Sequence, residues 1–450
     1  MVKSEELRSK RQKLFEQCLK VNSFQKLLAA EIVIATEIRM AEVLLRSGVD
    51  KKLVQFHIQR LRLYGDGLVW LVLHAHVIRQ MAKNPDVPKS LLQQGDAFDL
   101  VLKLAQDYFK RIDVPVLIAD ITNMLKIGDL IIVTDTEAPV VVESKKSLPR
   151  PEHLLQGRRG RQISKAIGTI KYLENGCKKV FGDDHYRLVV ESETITRRNW
   201  DVVDRVCKDG LQNDWAEAVL SQHEVMWAYR KSMEGRLESE ILALSKISKE
   251  GSTKFFGRTL GLMNMTDGLF PPPGVWPVSA DVRFALLEED LVLAHLLDAG
   301  AFECIRDTGE SIKIDRDHDY PVLVTIGGRT YPLSLKFIYD VLYGYESVEN
   351  CVEGLFEFAQ LLHEMSPPEI AKITRAKPII YSVDTIEEAG KIASIDGERE
   401  GDLVAVASDV FAHLNKRKRN SESKSDTSFL VQGARCVYAI VTVRDLRRLL

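Results

Sequence analysis

Three residues in this chain of 450 have the types and spacing for phosphate chemistry: Asp129, Glu143 and Lys145. Asp129 lies in the run IGDLIIVT (127–134), and Glu143-Ser144-Lys145 closes the run VVVESK (140–145). Both runs are apolar and rich in β-branched residues, and Asp135-Thr136-Glu137-Ala138-Pro139 between them has the composition of a turn. An antiparallel hairpin centred near Thr136 or Glu137 brings Asp129 opposite Glu143 or Lys145. Directly opposed Cβ atoms in such a pair are about 4.5–5.5 Å apart, and Glu143 and Lys145, two positions apart on one strand, share a face. Two carboxylates so placed can share a divalent cation. Mg2+ takes oxygen ligands at about 2.0–2.1 Å and keeps several waters. A water bound to it becomes acidic enough to attack phosphorus, and the ion offsets charge on the leaving oxygen. A lysine adds a compact positive charge that can orient the water or stabilise a pentavalent phosphate. The plain alternative for these residues is an edge hairpin with a surface salt bridge, worth about 0–1 kcal/mol.

The set Gly128-Asp129 followed by Glu143-Ser144-Lys145 resembles the PD-(D/E)XK, or restriction-endonuclease-like, nuclease superfamily over about residues 90–200. That family carries an Asp at the end of one core strand and (D/E)-x-K on the next; the Pro that precedes its Asp is Gly128 here. The resemblance implies that Asp129 and Glu143 bind Mg2+ or Mn2+ and that Lys145 is catalytic. Many members add an acidic residue on a helix before the first core strand. Asp99 stands in that place, with Asp96 as the alternative, which would make Asp99 a further metal ligand. Many also carry a Gln or a basic residue on the helix after the E-x-K strand, and Gln162 matches it; the stricter Q-x-x-x-Y form is absent, because residue 166 is Ala. From Ser144 to Lys171 the only acid is Glu152, whereas Lys146, Arg158, Arg159, Arg161 and Lys165 are among the bases. A basic surface beside paired carboxylates suits a phosphate backbone. The alternatives are a capping charge for Asp99, a solvated helix residue for Gln162 and a solvated basic loop for the arginines.

These residues need elements to place them. Residues 1–88 read as a helical N-terminal domain. One helix covers about Leu27–Leu45, a second runs from Lys51 to Leu63 and is broken by Tyr64-Gly65-Asp66-Gly67, and a third spans Leu68–Met81. Residues 89–200 form the nuclease-like domain, with a helix from Asp96 to Lys110, the hairpin, a helix from Arg161 to Leu173 and a strand from Tyr186 to Ile195. Residues 201–370 read as mainly helical, including 285–300, with a hairpin at 311–335 that turns at Ile326-Gly327-Gly328-Arg329. Residues 371–450 form a smaller C-terminal α+β segment ending in the strand-like run Ala434–Val443. The expected fold class is α/β: a restriction-endonuclease-like mixed-sheet core flanked by helical domains.

Composition excludes several classes. The chain is 45% hydrophobic and 28% charged with a net charge of −2, an ordinary globular balance. No apolar run is long enough to span a bilayer, and the charged N-terminus lacks a signal-peptide stretch, so a cytoplasmic protein without membrane contact is expected. The six cysteines are scattered with no CxxC pair, which argues against a zinc or redox motif. Asp315-Arg316-Asp317-His318-Asp319 lacks the Gly and the acid that would complete a calcium loop, Lys416-Arg417-Lys418-Arg419 sits in a polar low-complexity stretch, and no P-loop is present. The sequence thus points to a Mg2+- or Mn2+-dependent nuclease acting on nucleic acid, with DNA the expected substrate. The helical domains would bind a second copy or a partner protein, and a bacterial restriction or antiviral-defence role follows by analogy alone. Two other readings fit the same residues: a catalytically inactive nucleic-acid-binding module on this fold, and a helical interaction or scaffold protein.

Overall fold

A computed structural model of the chain describes residues 4–73, 90–112, 114–125, 128–133, 140–145, 177–179, 186–188, 198–221, 223–233, 255–259, 270–315, 321–333, 336–364, 379–383, 428–433 and 436–442, with single positions at 77, 78, 81, 82 and 88. It divides into two compact units: residues 1–189 with 266–271 and 372–450, and residues 190–265 with 272–371. The architecture is mixed α/β, with helices beside several small sheets. No described helix is long and apolar enough to cross a membrane.

The first unit begins with three helices, α1 (Ser4–Cys18), α2 (Phe24–Arg46) and α3 (Lys51–Trp70). Their starts follow capping chemistry. The Ser23 hydroxyl accepts from the Lys26 amide, and the Asp50 carboxylate accepts from the amides of Lys52 and Leu53, at 2.9 and 3.2 Å. A single-turn helix, α4 (Leu91–Gln94), is capped by Ser90 and further held by Glu42 of α2, whose carboxylate accepts from the amides of Leu91 and Leu92. Then α5 (Asp96–Ile112) buries Phe98, Val101, Leu104, Ala105 and Tyr108, the one-sided stripe expected at helical spacing.

The sheet of this unit starts with three short strands in antiparallel order, β1 (Val116–Ile118), β2 (Leu130–Ile132) and β3 (Val140–Lys145). Every residue of β1 and β2 is buried, which fits runs that show no polar alternation. β4 (Cys177–Lys179) and β5 (Tyr186–Leu188) form a separate antiparallel pair. The end of the chain completes the main sheet: β14 (Ile379–Val383), β15 (Ser428–Gly433) and β16 (Cys436–Thr442) pair antiparallel with one another, and β16 lies parallel to β3. The result is a six-stranded mixed sheet in the order β1-β2-β3-β16-β15-β14. The C-terminal strands therefore extend the sheet that the hairpin begins.

The expected break at Tyr64-Gly65-Asp66-Gly67 does not occur, because α3 runs through it to Trp70. Packing explains this. A Cβ on Gly65 would stand 2.7 Å from the carbonyl oxygen of Ile121, so the glycine here permits close approach of another main chain. From Leu61 to Val69 the helix is buried on all sides.

The second unit differs more from expectation. It contains α6 (Trp200–Asn213), and then residues expected to be helical form strands β6 (Trp215–Ser221), β7 (Glu224–Arg230) and β9 (Leu291–Asp298), with β8 (Phe255–Thr259) and α7 (Ala280–Leu287) before β9. These strands make an antiparallel sheet in the order β6-β7-β9-β8. β9 is buried at almost every position, and a continuous apolar run carries no period-two signal to separate a strand from a helix. The hairpin expected at 311–335 is present within a four-stranded meander of β10 (Cys304–Ile305), β11 (Ser311–Ile314), β12 (Val322–Ile326) and β13 (Arg329–Leu333), with β12 and β13 joined through Gly327-Gly328. The helices α8 (Lys336–Gly344) and α9 (Val348–Glu364) supply Ile338, Val341, Leu355 and Phe356 to the same core as Ile314, Val322 and Val324.

The Gly65 contact yields a direct test. Gly65→Ala is expected to lower the stability of the first unit by about 1–3 kcal/mol, the usual cost of overpacking a core contact, read as a lower urea midpoint. An unchanged midpoint would mean that the approach of Ile121 to α3 is not tight.

Candidate active site

Asp129 precedes β2 by one residue, and its surroundings follow from the register. Leu130 pairs with Val142 and Ile132 with Val140, so the two strands lie symmetrically about Thr136 along the chain. One step beyond the Leu130 pair, Asp129 and Glu143 flank the end of the ladder. The Asp129 amide donates at 2.7 Å to the carbonyl of Val142, the residue that pairs with Leu130. On its other side, the Asp129 carbonyl accepts from the Ala119 amide at 3.0 Å. The main chain of Asp129 is thus tied to the strands before and after it. Asp129 is 9% exposed, at the margin of the core.

Gly128 has φ of +76°, the left-handed region. A Cβ there would meet the Val141 side chain at 2.5 Å and the Val142 carbonyl oxygen at 3.0 Å. Proline, with φ fixed near −65°, cannot occupy this backbone, so the local geometry requires glycine at 128. Glu143 and Lys145 take alternate positions on β3, next to Ile440 and Thr442 of β16. β3 is an interior strand of the sheet, paired on both sides.

The remaining expected residues are distributed as follows. Asp99 lies in the first turn of α5, and its carboxylate pairs with Arg39 of α2 at 2.5 Å while 53% exposed. Asp96 opens the same helix. Gln162, Lys146, Arg158, Arg159, Arg161 and Lys165 lie outside the described residues, as does the helix expected at Arg161–Leu173. Among the described residues no group of three or more His, Cys, Asp or Glu side chains could hold a metal ion. Of the expected metal pair, Asp129 has its side chain in that described set, and Glu143 is described by its main chain.

Sequence reasoning missed the buried polar residues that support Asp129 from behind. Glu31 of α2 is 1% exposed, and its Oε1 accepts from the Ile118 amide of β1 at 3.0 Å. Arg62 of α3 donates to the carbonyls of Asp120 and Thr122, the latter at 3.3 Å. Asp66, fully buried, accepts from the amides of Asn123 and Met124 through Oδ1, at 2.8 and 3.0 Å, and from the Asn123 side-chain amide through Oδ2 at 2.7 Å. All these contacts fall on the segment from Ile118 to Met124 that leads into Gly128-Asp129. The available signal was Asp66 between two glycines, a polar residue inside an otherwise apolar helical run.

Burial shifts the protonation of these groups. It pushes the Glu31 carboxyl up to about 8, offset in part by the Ile118 amide. It pushes Asp66 up to about 7, against the opposing pull of Asn123, Met124 and Arg62. The Arg62 guanidinium is lowered by the same burial and raised in part by Asp120, Glu42 and Asp66.

Comparison of the chain with protein-family models, with curated proteins and with solved structures finds no match.

The Glu31 shift has a measurable consequence. A carboxyl raised in the folded state binds more protons there than in the unfolded chain, so its contribution is fully present below about pH 4 and is lost as pH rises through about 8. Glu31→Gln keeps the acceptor for Ile118 and removes the titration. Between about pH 6 and 9, wild type is expected to lose on the order of 1–3 kcal/mol relative to Glu31→Gln, seen in denaturation midpoints across pH. Parallel pH profiles for the two proteins would contradict this.

Proposed function

We propose that the first unit is a metal-dependent nuclease of the PD-(D/E)XK type and hydrolyses phosphodiester bonds in DNA. The observation that supports this most is the antiparallel pairing of β2 with β3, whose register ends at Leu130 and Val142, the residues next to Asp129 and Glu143. In this reading Asp129 and Glu143 supply oxygen ligands, a donor set suited to Mg2+ or Mn2+ rather than to a softer metal. A divalent ion held there would supply an acidified water and offset charge on the leaving oxygen. Lys145, two positions along β3 from Glu143, contributes fixed positive charge for the attacking water or the phosphate. Gln162 assists, and Lys146, Arg158, Arg159, Arg161 and Lys165 bind the nucleic-acid backbone without reading bases. Asp99 joins the metal ligands only by giving up its pair with Arg39. The finer fold, a restriction-endonuclease-like core, belongs to the same proposal, as do a cytoplasmic location and a restriction or antiviral-defence setting.

Incubation of the full-length protein with supercoiled and linear DNA tests this. Cleavage is expected with Mg2+ or Mn2+ and should disappear with EDTA. Asp129→Asn and Glu143→Gln should each lower the cleavage rate by at least about 100-fold, and Lys145→Ala by about 100–1,000-fold, the range typical of lost electrostatic stabilisation. Salt-sensitive DNA binding without cleavage would favour the inactive binding module. Neither binding nor cleavage would remove both nucleic-acid readings. Undiminished cleavage by Lys145→Ala would move the site elsewhere.

A further inference from the structure

We propose that Glu31, Arg62 and Asp66 form a clamp through which the N-terminal helices set the position of Asp129, so that α2 and α3 belong to the catalytic unit as positioning elements. Glu31 takes the Ile118 amide, Arg62 gives to the carbonyls of Asp120 and Thr122, and Asp66 takes three donors from Asn123 and Met124. These partners are consecutive or nearly so, and almost all are main chain. The segment they hold contacts the site directly, because the Ala119 amide donates to the Asp129 carbonyl and Ile118 pairs with Leu130. Gly65, between the clamp residues Arg62 and Asp66, lets α3 come within van der Waals reach of Ile121. Three ionisable groups at 0–5% exposure are an expensive way to fill a core, since desolvation offsets much of what such groups gain. Their directional bonds fix a main chain in place, which apolar packing does less sharply. The proposed nuclease site gives that precision a use, because a displacement of about 1 Å at a reacting group can cost on the order of 100-fold in rate.

The catalytic part of this inference rests on the nuclease reading, and the mechanical part does not, so the test separates them. Amide hydrogen exchange is measured on full-length wild type, Asp66→Ala, Asp66→Asn and Asn123→Ala. Asp66→Asn keeps the Oδ1 acceptor for the Asn123 and Met124 main-chain amides, and its new NH2 can donate to the Asn123 side-chain oxygen once that amide turns over; Asn123→Ala removes the side-chain bond outright, so it remains a folded probe if Asp66→Ala unfolds. Faster exchange at Ala119 and Asp129 is expected in Asp66→Ala and, to a lesser degree, in Asn123→Ala, with Asp66→Asn near wild type. In the cleavage assay, kcat should fall by about 10–100-fold in Asp66→Ala with KM for DNA within about twofold, and Asp66→Asn should restore it, as for residues that orient a site from behind. Unchanged exchange at Ala119 and Asp129 in folded Asp66→Ala or Asn123→Ala overturns the clamp. Faster exchange with unchanged kcat overturns its role at the site. A wild type that never cleaves DNA removes the nuclease reading, and the exchange result then decides the clamp by itself.

Discussion

The first unit depends on how buried polar groups of the helices hold the main chain between β1 and β2. A helix packed on a sheet needs only apolar contact, and α2, α3 and α5 have that in Ile34, Ile38, Leu61, Phe98 and Val101. Apolar contact alone leaves the loop after β1 without partners for its amides and carbonyls, and buried main-chain groups without partners are costly. Glu31, Arg62 and Asp66 supply those partners. With the loop anchored, β1 and β2 meet in register, and Asp129 leaves the loop with its amide and carbonyl both committed. Glycine at 128 completes the arrangement, because no side chain fits between that residue and Val141.

The same constraint explains why α3 does not stop where its sequence suggests. Glycine lowers helix propensity by up to about 1 kcal/mol relative to alanine, and two of them around an aspartate read as a break. In the folded chain Gly65 lies where a Cβ would meet the Ile121 carbonyl oxygen, and Asp66 is the acceptor for Asn123 and Met124. A local rule failed there because tertiary contact outweighs propensity.

The parts of the fold that were legible in the sequence are those whose partners lie nearby. The hairpin from Leu130 to Lys145 has β-branched runs on either side of turn residues, and its register about Thr136 is as expected. The amphipathic α5 and the turn at Gly327-Gly328 are likewise local signals. The parallel pairing of β16 with β3 joins the far end of the chain to its first third, and no local pattern encodes such a partner. β9 could not be separated from a helix, because burial on both faces removes the alternation that marks a strand. Residue types singled out Asp129, Glu143 and Lys145 as candidates, whereas Glu31 read as an ordinary helix residue and Asp66 as part of a break, and only their partners on the segment after β1 distinguish them.

The proposed nuclease requires a divalent ion held by Asp129 and Glu143 at the end of the β2–β3 ladder. Manganese binding tests it without reference to any substrate. Electron paramagnetic resonance of full-length protein titrated with Mn2+ reports bound ion directly, and competition with Mg2+ separates a hard oxygen site from adventitious binding. Saturable Mn2+ binding is expected in wild type, displaced by Mg2+ and lost in both Asp129→Asn and Glu143→Gln. Binding that survives in either variant, or a wild type that binds no Mn2+, contradicts it.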